Sequence, residues 1–187
     1  LPRLRRTVSS HLQREGLCRE RVLAGMVRIL DTGMIRVGGE EYAEHRHYGL
    51  ATLRHSHVHK VTFRAVWFHF IGKSSERHEI DVQDRVVARL VKELLALDNN
   101  TRLFQYYNGD GELVNATAGV VNDYFKEIVG RAYSVKDFRT WMATVICAAA
   151  LGELGPRETK RERQQIVKQA LCTTAQVLGN TPDICRS

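Results

Sequence analysis

The chain has 187 residues, 43% hydrophobic and 26% charged, with a formal net charge of +7 and an isoelectric point near 9.5. That size suits one domain with a substantial core, no apolar run approaches the ~20 residues of a membrane span, and the opening "LPRLRRTVSSHLQREG" lacks both Met and the apolar core of a secretory signal. The basic balance suits a polyanionic partner, most simply nucleic acid.

In chain order, residues 1–14 and 19–30 read as two basic amphipathic helices, with seven Arg against two Glu between Leu1 and Leu30. Val22, Leu23, Met26, Val27 and Leu30 recur at helical spacing. "GMIRV" reads as a short strand closed by Gly38-Gly39, and "YGLATLRH" as a short helix or turn. "HVHKVTFRAVWFHFIG" is rich in β-branched and aromatic residues and predicts one or two strands. "GKSS" is a turn and "ERHEIDV" the returning strand, which puts Lys73 at a hairpin tip. Residues 83–97 carry Val86, Val87, Leu90, Leu94 and Leu95 as a helical stripe. "NNTRLFQYYNGDGELVNA" reads as a loop turning at Gly109-Asp110-Gly111. A helix over 117–129 follows. Ser134, with Asp137 three residues on, predicts the start of a helix reaching about Leu151. Pro156 is expected to open the last long helix, to about Leu178, with Val167, Leu171, Thr174 and Leu178 on one face. The expectation is an α+β domain, mostly helical, with a small three-stranded antiparallel sheet, spanning 1–187 as one catalytic unit.

The four cysteines, Cys18, Cys147, Cys172 and Cys185, form no C-x-x-C pair, which argues against a zinc knuckle and fits a reducing cytosol. His55, His57 and His59 would share one face of a strand, but no accompanying ligand pattern such as H-E-x-x-H is present, so no metal site is expected. No G-x-S-x-G, P-loop or G-x-G-x-x-G occurs. Three cations stand in structured settings: Arg36 within "MIRVG", Lys73 at the hairpin tip, and Arg139 within "KDFRTW". Each is either tied into an internal salt bridge or one of several cations converging on a phosphate, for which the arginine fork and a mobile lysine proton are suited.

"MIRVGGEEYAEHRHYGLATLRHSHV", "FIGKSSERHEIDV", "SVKDFRTW" and "QVLGNTPDICRS" occur in the order and rough spacing of type IB DNA topoisomerases, which the chain resembles over nearly its whole length. Within them it is most similar to the bacterial branch, itself like the small poxvirus enzymes. The resemblance implies that Arg36 and Arg139 are the active-site arginines and Lys73 the hairpin lysine. Asn180 stands where poxvirus members have His and bacterial members can have Asn. Tyr42 is implied to touch DNA near the scissile bond. The family's nucleophilic tyrosine would fall just past Ser187, and its small β-rich clamping domain would precede Leu1. The implied reaction is cleavage of one strand through a 3′-phosphotyrosyl link, swivelling and religation, with neither ATP, cofactor nor metal. The implied partner is double-stranded DNA, handled by a cytoplasmic, nucleoid-associated monomer away from membranes.

The tyrosine site-specific recombinases share this chemistry, but they typically show H-x-x-R at the second arginine, where this chain has Lys136-Asp-Phe-Arg139. A DNA-binding domain without catalysis is the remaining alternative. Tyr106, Tyr107, Tyr124 and Tyr133 read as packing or surface residues rather than nucleophiles.

Overall fold

The computed structural model describes residues 1–97 and 102–186. The chain divides into two compact units, Leu1–Val135 and Lys136–Ser187.

In the first unit, α1 (Pro2–His11) and α2 (Arg19–Gly33) form where the periodicity predicts. All five residues of the α2 stripe, from Val22 to Leu30, are buried. Side chains of this size, fully buried, each contribute roughly 1.5–3 kcal/mol of transfer free energy. Gly25 lets α4 (Arg85–Leu95) approach closely, since a Cβ there would lie 2.2 Å from Leu90 Cδ2. Asp84 starts α4 by accepting hydrogen bonds from the N–H groups of Val86 (2.8 Å) and Val87 (3.2 Å). The helix buries Val87, Leu90, Val91 and Leu94. Arg21 crosses from α2 to α4 and donates from both terminal nitrogens to Glu93, at 2.5 and 2.9 Å.

The strand expected over "GMIRV" does not form. Met34 takes the left-handed conformation (φ 50°) and ends α2, and residues 34–39 run without ladder pairing. Their carbonyls are satisfied by a loop instead: Leu50 N–H donates to Arg36 O (2.9 Å) and Ala51 N–H to Val37 O (2.7 Å). The partner segment is coiled into a 3₁₀ turn, Leu50–Thr52, so it cannot propagate a ladder. Next comes the short α3 (Glu40–Glu44).

Among the described residues, β1 (Val58–Val61), β2 (Val66–Ile71) and β3 (Arg77–Val82) form an antiparallel sheet in the order β1-β2-β3. In the central strand Val66, Phe68 and Phe70 face the core and alternate with Trp67 and His69. The pairing of Ile71 with Arg77 leaves a tight connection holding one 3₁₀ turn, Lys73–Ser75. The hairpin-tip lysine therefore stands where the sequence puts it. The histidines do not share a strand face: His55 and His57 lie in a 3₁₀ turn and only His59 is on β1. His59 stacks on His69 across the sheet (4.1 Å between rings), and His57 packs on Tyr48 (4.2 Å). Among the described residues no group of three or more His, Cys, Asp or Glu is arranged to hold a metal ion.

Residues 99–101 of the expected loop lie outside the described residues. The turn at 109–111 forms, but short strands flank it: β4 (Gln105–Tyr107) and β5 (Leu113–Asn115) pair as a hairpin. Asn108 shapes it, its side-chain oxygen accepting the N–H groups of Asp110 (3.0 Å) and Glu112 (2.9 Å). Next, α5 (Ala118–Val129) is capped by Thr117.

The second unit carries α6 (Val135–Leu154), whose first residue closes the first unit, then α7 (Lys160–Leu178) and α8 (Pro182–Arg186). Pro156 does not open α7. Thr159 and Glu162 form a reciprocal capping box, and that pair of side-chain bonds sets the start four residues later than expected. Of the residues expected along one face of α7, Thr174 and Leu178 are buried and Val167 is exposed. None of the described helices is long and apolar enough to cross a membrane.

Candidate active site

Arg36 is fixed through its backbone. Besides the bond from Leu50, the close crossing of Gly38 and Gly49 pins the segment: a Cβ on Gly38 would lie 2.6 Å from Gly49 Cα, and Gly38 has φ +78°. Both features demand glycine. The same loop then reaches the sheet, as Tyr48 N–H donates to Ile71 O at 2.7 Å. Ile71 ends β2, Gly72 follows, and Gly72 N–H closes the lysine turn onto Glu76 O (2.8 Å). Loop 48–51 thus joins the Arg36 segment to the root of the Lys73 turn through hydrogen bonds only two residues apart. Arg36 is half-buried and Lys73 exposed.

Tyr42 completes this group. It projects from α3, is 43% exposed, and holds its ring 5.5 Å from Lys73 Nζ, within cation–π range. Helix α3 is anchored by an ion pair between Glu40 and Arg102, whose other terminal nitrogen donates to Thr52 O (2.9 Å). Opposite the lysine, Ser75 (φ 60°) carries its hydroxyl 3.2 Å from His47 Nε2. Sequence reading missed this tether and the Gly38–Gly49 crossing. The only available signal was the Gly-Gly pair and a histidine among many.

Arg139 and Asn180 belong to the second unit, where the end of α7 brings them together. The Arg139 guanidinium donates to the carbonyl of Leu178, a cation at a helix C-terminus where the macrodipole is negative. Gly179 follows in the left-handed conformation (φ 58°). Its N–H donates to Gln176 O (3.3 Å), and Asn180 N–H reaches back to Ala175 O (2.9 Å). This is a Schellman cap, and it fixes where the Asn180 side chain begins. The Asn180 amide nitrogen lies 3.9 Å from Cys185 Sγ on α8.

The histidines beside the first group are shifted downward. Burial, and then the charge of Arg54, lowers His57; burial lowers His55. His57 Nδ1 accepts the Arg54 N–H (3.0 Å). Both rings are thereby shifted toward the neutral form.

The first unit thus holds a small antiparallel sheet with a lysine-bearing hairpin turn, and the second a glycine-capped helix end with an arginine and an asparagine. The chain belongs to the family described as eukaryotic DNA topoisomerase I, catalytic core, whose sequence model matches residues 1–187. It is similar to DNA topoisomerase 1B of Acanthamoeba polyphaga mimivirus, at 30% identity over 171 residues, or 87% of this chain and 50% of that protein. The chain thus spans about half the length of the curated relative it matches. One comparison is eukaryotic in type and the other viral, so neither points to a bacterial branch.

Proposed function

We propose that this chain is the catalytic part of a type IB topoisomerase, which relaxes supercoiled double-stranded DNA by transient single-strand cleavage. The observation that carries the reading is the family match across all 187 residues. The proposed nucleophile is a tyrosine hydroxyl that the family resemblance puts beyond Ser187. It attacks a backbone phosphorus in line, forms a 3′-phosphotyrosyl bond and expels the 5′-oxygen. The swivelled strand's 5′-hydroxyl reverses the step, so the phosphodiester bond energy is conserved.

Arg36 and Arg139 are assigned to the non-bridging oxygens, where charge accumulates; a preorganised donor of this kind is worth roughly 3–4 kcal/mol in other enzymes. Lys73 is assigned as the acid that protonates the departing 5′-oxygen. Asn180 donates one neutral hydrogen bond to the same phosphate, and Tyr42 contacts DNA beside the scissile bond while steadying the lysine. We also propose that the chain acts as a monomer and, in a bacterial version of the reading, on nucleoid DNA. That version rests on Asn180, since some bacterial members carry Asn there.

The deciding experiment mixes the protein, extended past Ser187, with supercoiled plasmid in EDTA without ATP. Relaxed topoisomers are expected. Intact supercoils with DNA still bound would transfer the reading to a non-catalytic DNA-binding domain. DNA binding itself should weaken steeply between about 50 and about 200 mM salt, as phosphate-contact binding does.

A further inference from the structure

At the far end of the sheet from Lys73, a groove of about 940 Å³ opens between the β1–β2 turn, the segment after α1 and the outer face of α4. The turn is built to present one side chain. Thr62 N–H donates to Ala65 O (2.9 Å), and its hydroxyl accepts the N–H groups of Arg64 (3.2 Å) and Ala65 (3.1 Å). At the apex Phe63 stands 78% exposed. Its ring borders the groove's apolar floor, so the two together form one apolar strip open to solvent.

The facing wall is cationic. Arg85, Arg89 and Lys92 follow one another at i, i+4 and i+7 along α4, so they form one exposed row. Arg14 and Arg21 also line the groove, but each is already in an ion pair, Arg14 with Glu20 and Arg21 with Glu93, so the accessible positive charge lies on the α4 row. Glu93 is already engaged by Arg21 and Arg89. Leu12, Val61 and Val86 give the groove an apolar floor.

We propose that this groove docks an acidic segment of a partner protein that carries an apolar anchor, the anchor covering Phe63 and the floor while its carboxylates meet the α4 row. The bare phosphate backbone of a duplex would satisfy the cations and leave Phe63 uncovered. Position also separates the two surfaces. The Phe63 and Lys73 turns cap opposite ends of the six-residue β2, which at about 3.4 Å per residue sets them ~20 Å apart along the strand.

The test follows the anisotropy of a fluorescein-labelled peptide that alternates Asp and Glu with Leu and Phe, titrated with the full chain. Saturable binding that weakens with salt is expected. Phe63→Ala should raise Kd about tenfold, as loss of an aromatic anchor does, and Arg85→Glu should weaken binding similarly. Neither change should alter duplex affinity. Because Phe63 is exposed, its replacement leaves the fold intact, which circular dichroism checks. The proposal is overturned if the peptide does not bind, or if an all-acidic peptide without Leu and Phe binds equally well. It is also overturned if a DNA duplex displaces the peptide and both variants weaken duplex binding, which would make the groove a nucleic-acid surface.

Discussion

The Lys73 ammonium sits 5.5 Å above the ring of Tyr42, so a hairpin turn and a separate short helix hold one cation between them. A lysine on an exposed turn would otherwise sample many rotamers, and ordering it costs side-chain entropy. The ring face offsets part of that cost, by roughly 0.5–1 kcal/mol at an exposed site. Tyr42→Phe should then leave strand cleavage within a few-fold of the parent, while Tyr42→Leu should slow it by about fivefold, from the loss of that same cation–π energy. Single-turnover cleavage of a nicked-strand substrate checks this. Equal rates for Phe and Leu would remove the ring from the account.

If Lys73 is the acid for the departing oxygen, Lys73→Ala should lower the cleavage rate by about 10²–10⁴-fold. A substrate with sulfur in place of the bridging 5′-oxygen needs no such proton, because a thiolate leaves unaided. The variant should cleave that substrate nearly as fast as the parent does. A deficit of the same size on both substrates would instead assign Lys73 to binding.

Gly38 is the position where backbone geometry and site geometry coincide. Gly38→Ala would strain a φ of +78° and drive its Cβ to 2.6 Å from Gly49 Cα. The left-handed conformation alone costs about 1–2 kcal/mol for an L side chain, and the close approach adds to it. Stability should fall by more than that, and the Arg36 carbonyl should lose its Leu50 partner. Cleavage should drop further than the melting shift explains, because the arginine is displaced. A variant that melts early yet cleaves at the parent rate below its transition would break the link between this crossing and Arg36.

The helices were legible because each carries its own signal. Val22 to Leu30 on α2 and Val87 to Leu94 on α4 repeat at one helical period, and burial follows. The Lys73 hairpin was legible for a similar reason, since "GKSS" separates two runs rich in β-formers. The strand expected at Arg36 failed because three apolar residues, Met34, Ile35 and Val37, fit any extended segment; only the coiled partner at Leu50–Thr52 decides that no ladder forms. Strands β4 and β5, three residues each, are too short for alternation to register. The start of α7 lies beyond the expected Pro156 because Thr159 and Glu162 make actual side-chain bonds there. Arg139 could be picked out by its motif, but its bond to the end of a helix some forty residues on is long-range and has no sequence signature.

Gly179 tests how far that helix end positions the second group. Its φ of 58° and the bond from Asn180 N–H to Ala175 O complete the cap. Gly179→Ala should cost about 1 kcal/mol by straining the left-handed residue. Asn180→Ala should leave stability nearly unchanged and slow cleavage, because only the side chain is removed. Unfolding of the second unit by Asn180→Ala, with no selective effect on cleavage, would make the residue structural.

The ion pair between Arg21 and Glu93 sets the response to acid. Hydrogen bonding from Arg21, and then its charge, holds the Glu93 carboxyl below its ordinary value near 4.5. The unfolded chain therefore takes up that proton first as the pH falls. The pair's contribution is complete above about pH 4.5 and is lost as pH drops through the lower folded value. His11, His55 and His57 act in the same direction at higher pH, since burial lowers each from an ordinary value of 6.5. Below that point the unfolded state binds protons that the folded state resists. Urea unfolding should thus show stability falling in two stages, one starting below about pH 6.5 and one below about pH 4.5. Glu93→Gln should shrink the second stage and cost roughly 3 kcal/mol at neutral pH, the low end for breaking a buried pair because Glu93 is 34% exposed while Arg21 is only 4% exposed. His57→Gln should reduce the first stage, leaving the part due to His11 and His55, and leave the second unchanged. Stability that rises from neutral pH toward pH 5 would contradict the histidine part, and a Glu93→Gln protein with an unchanged acid limb would contradict the carboxylate part.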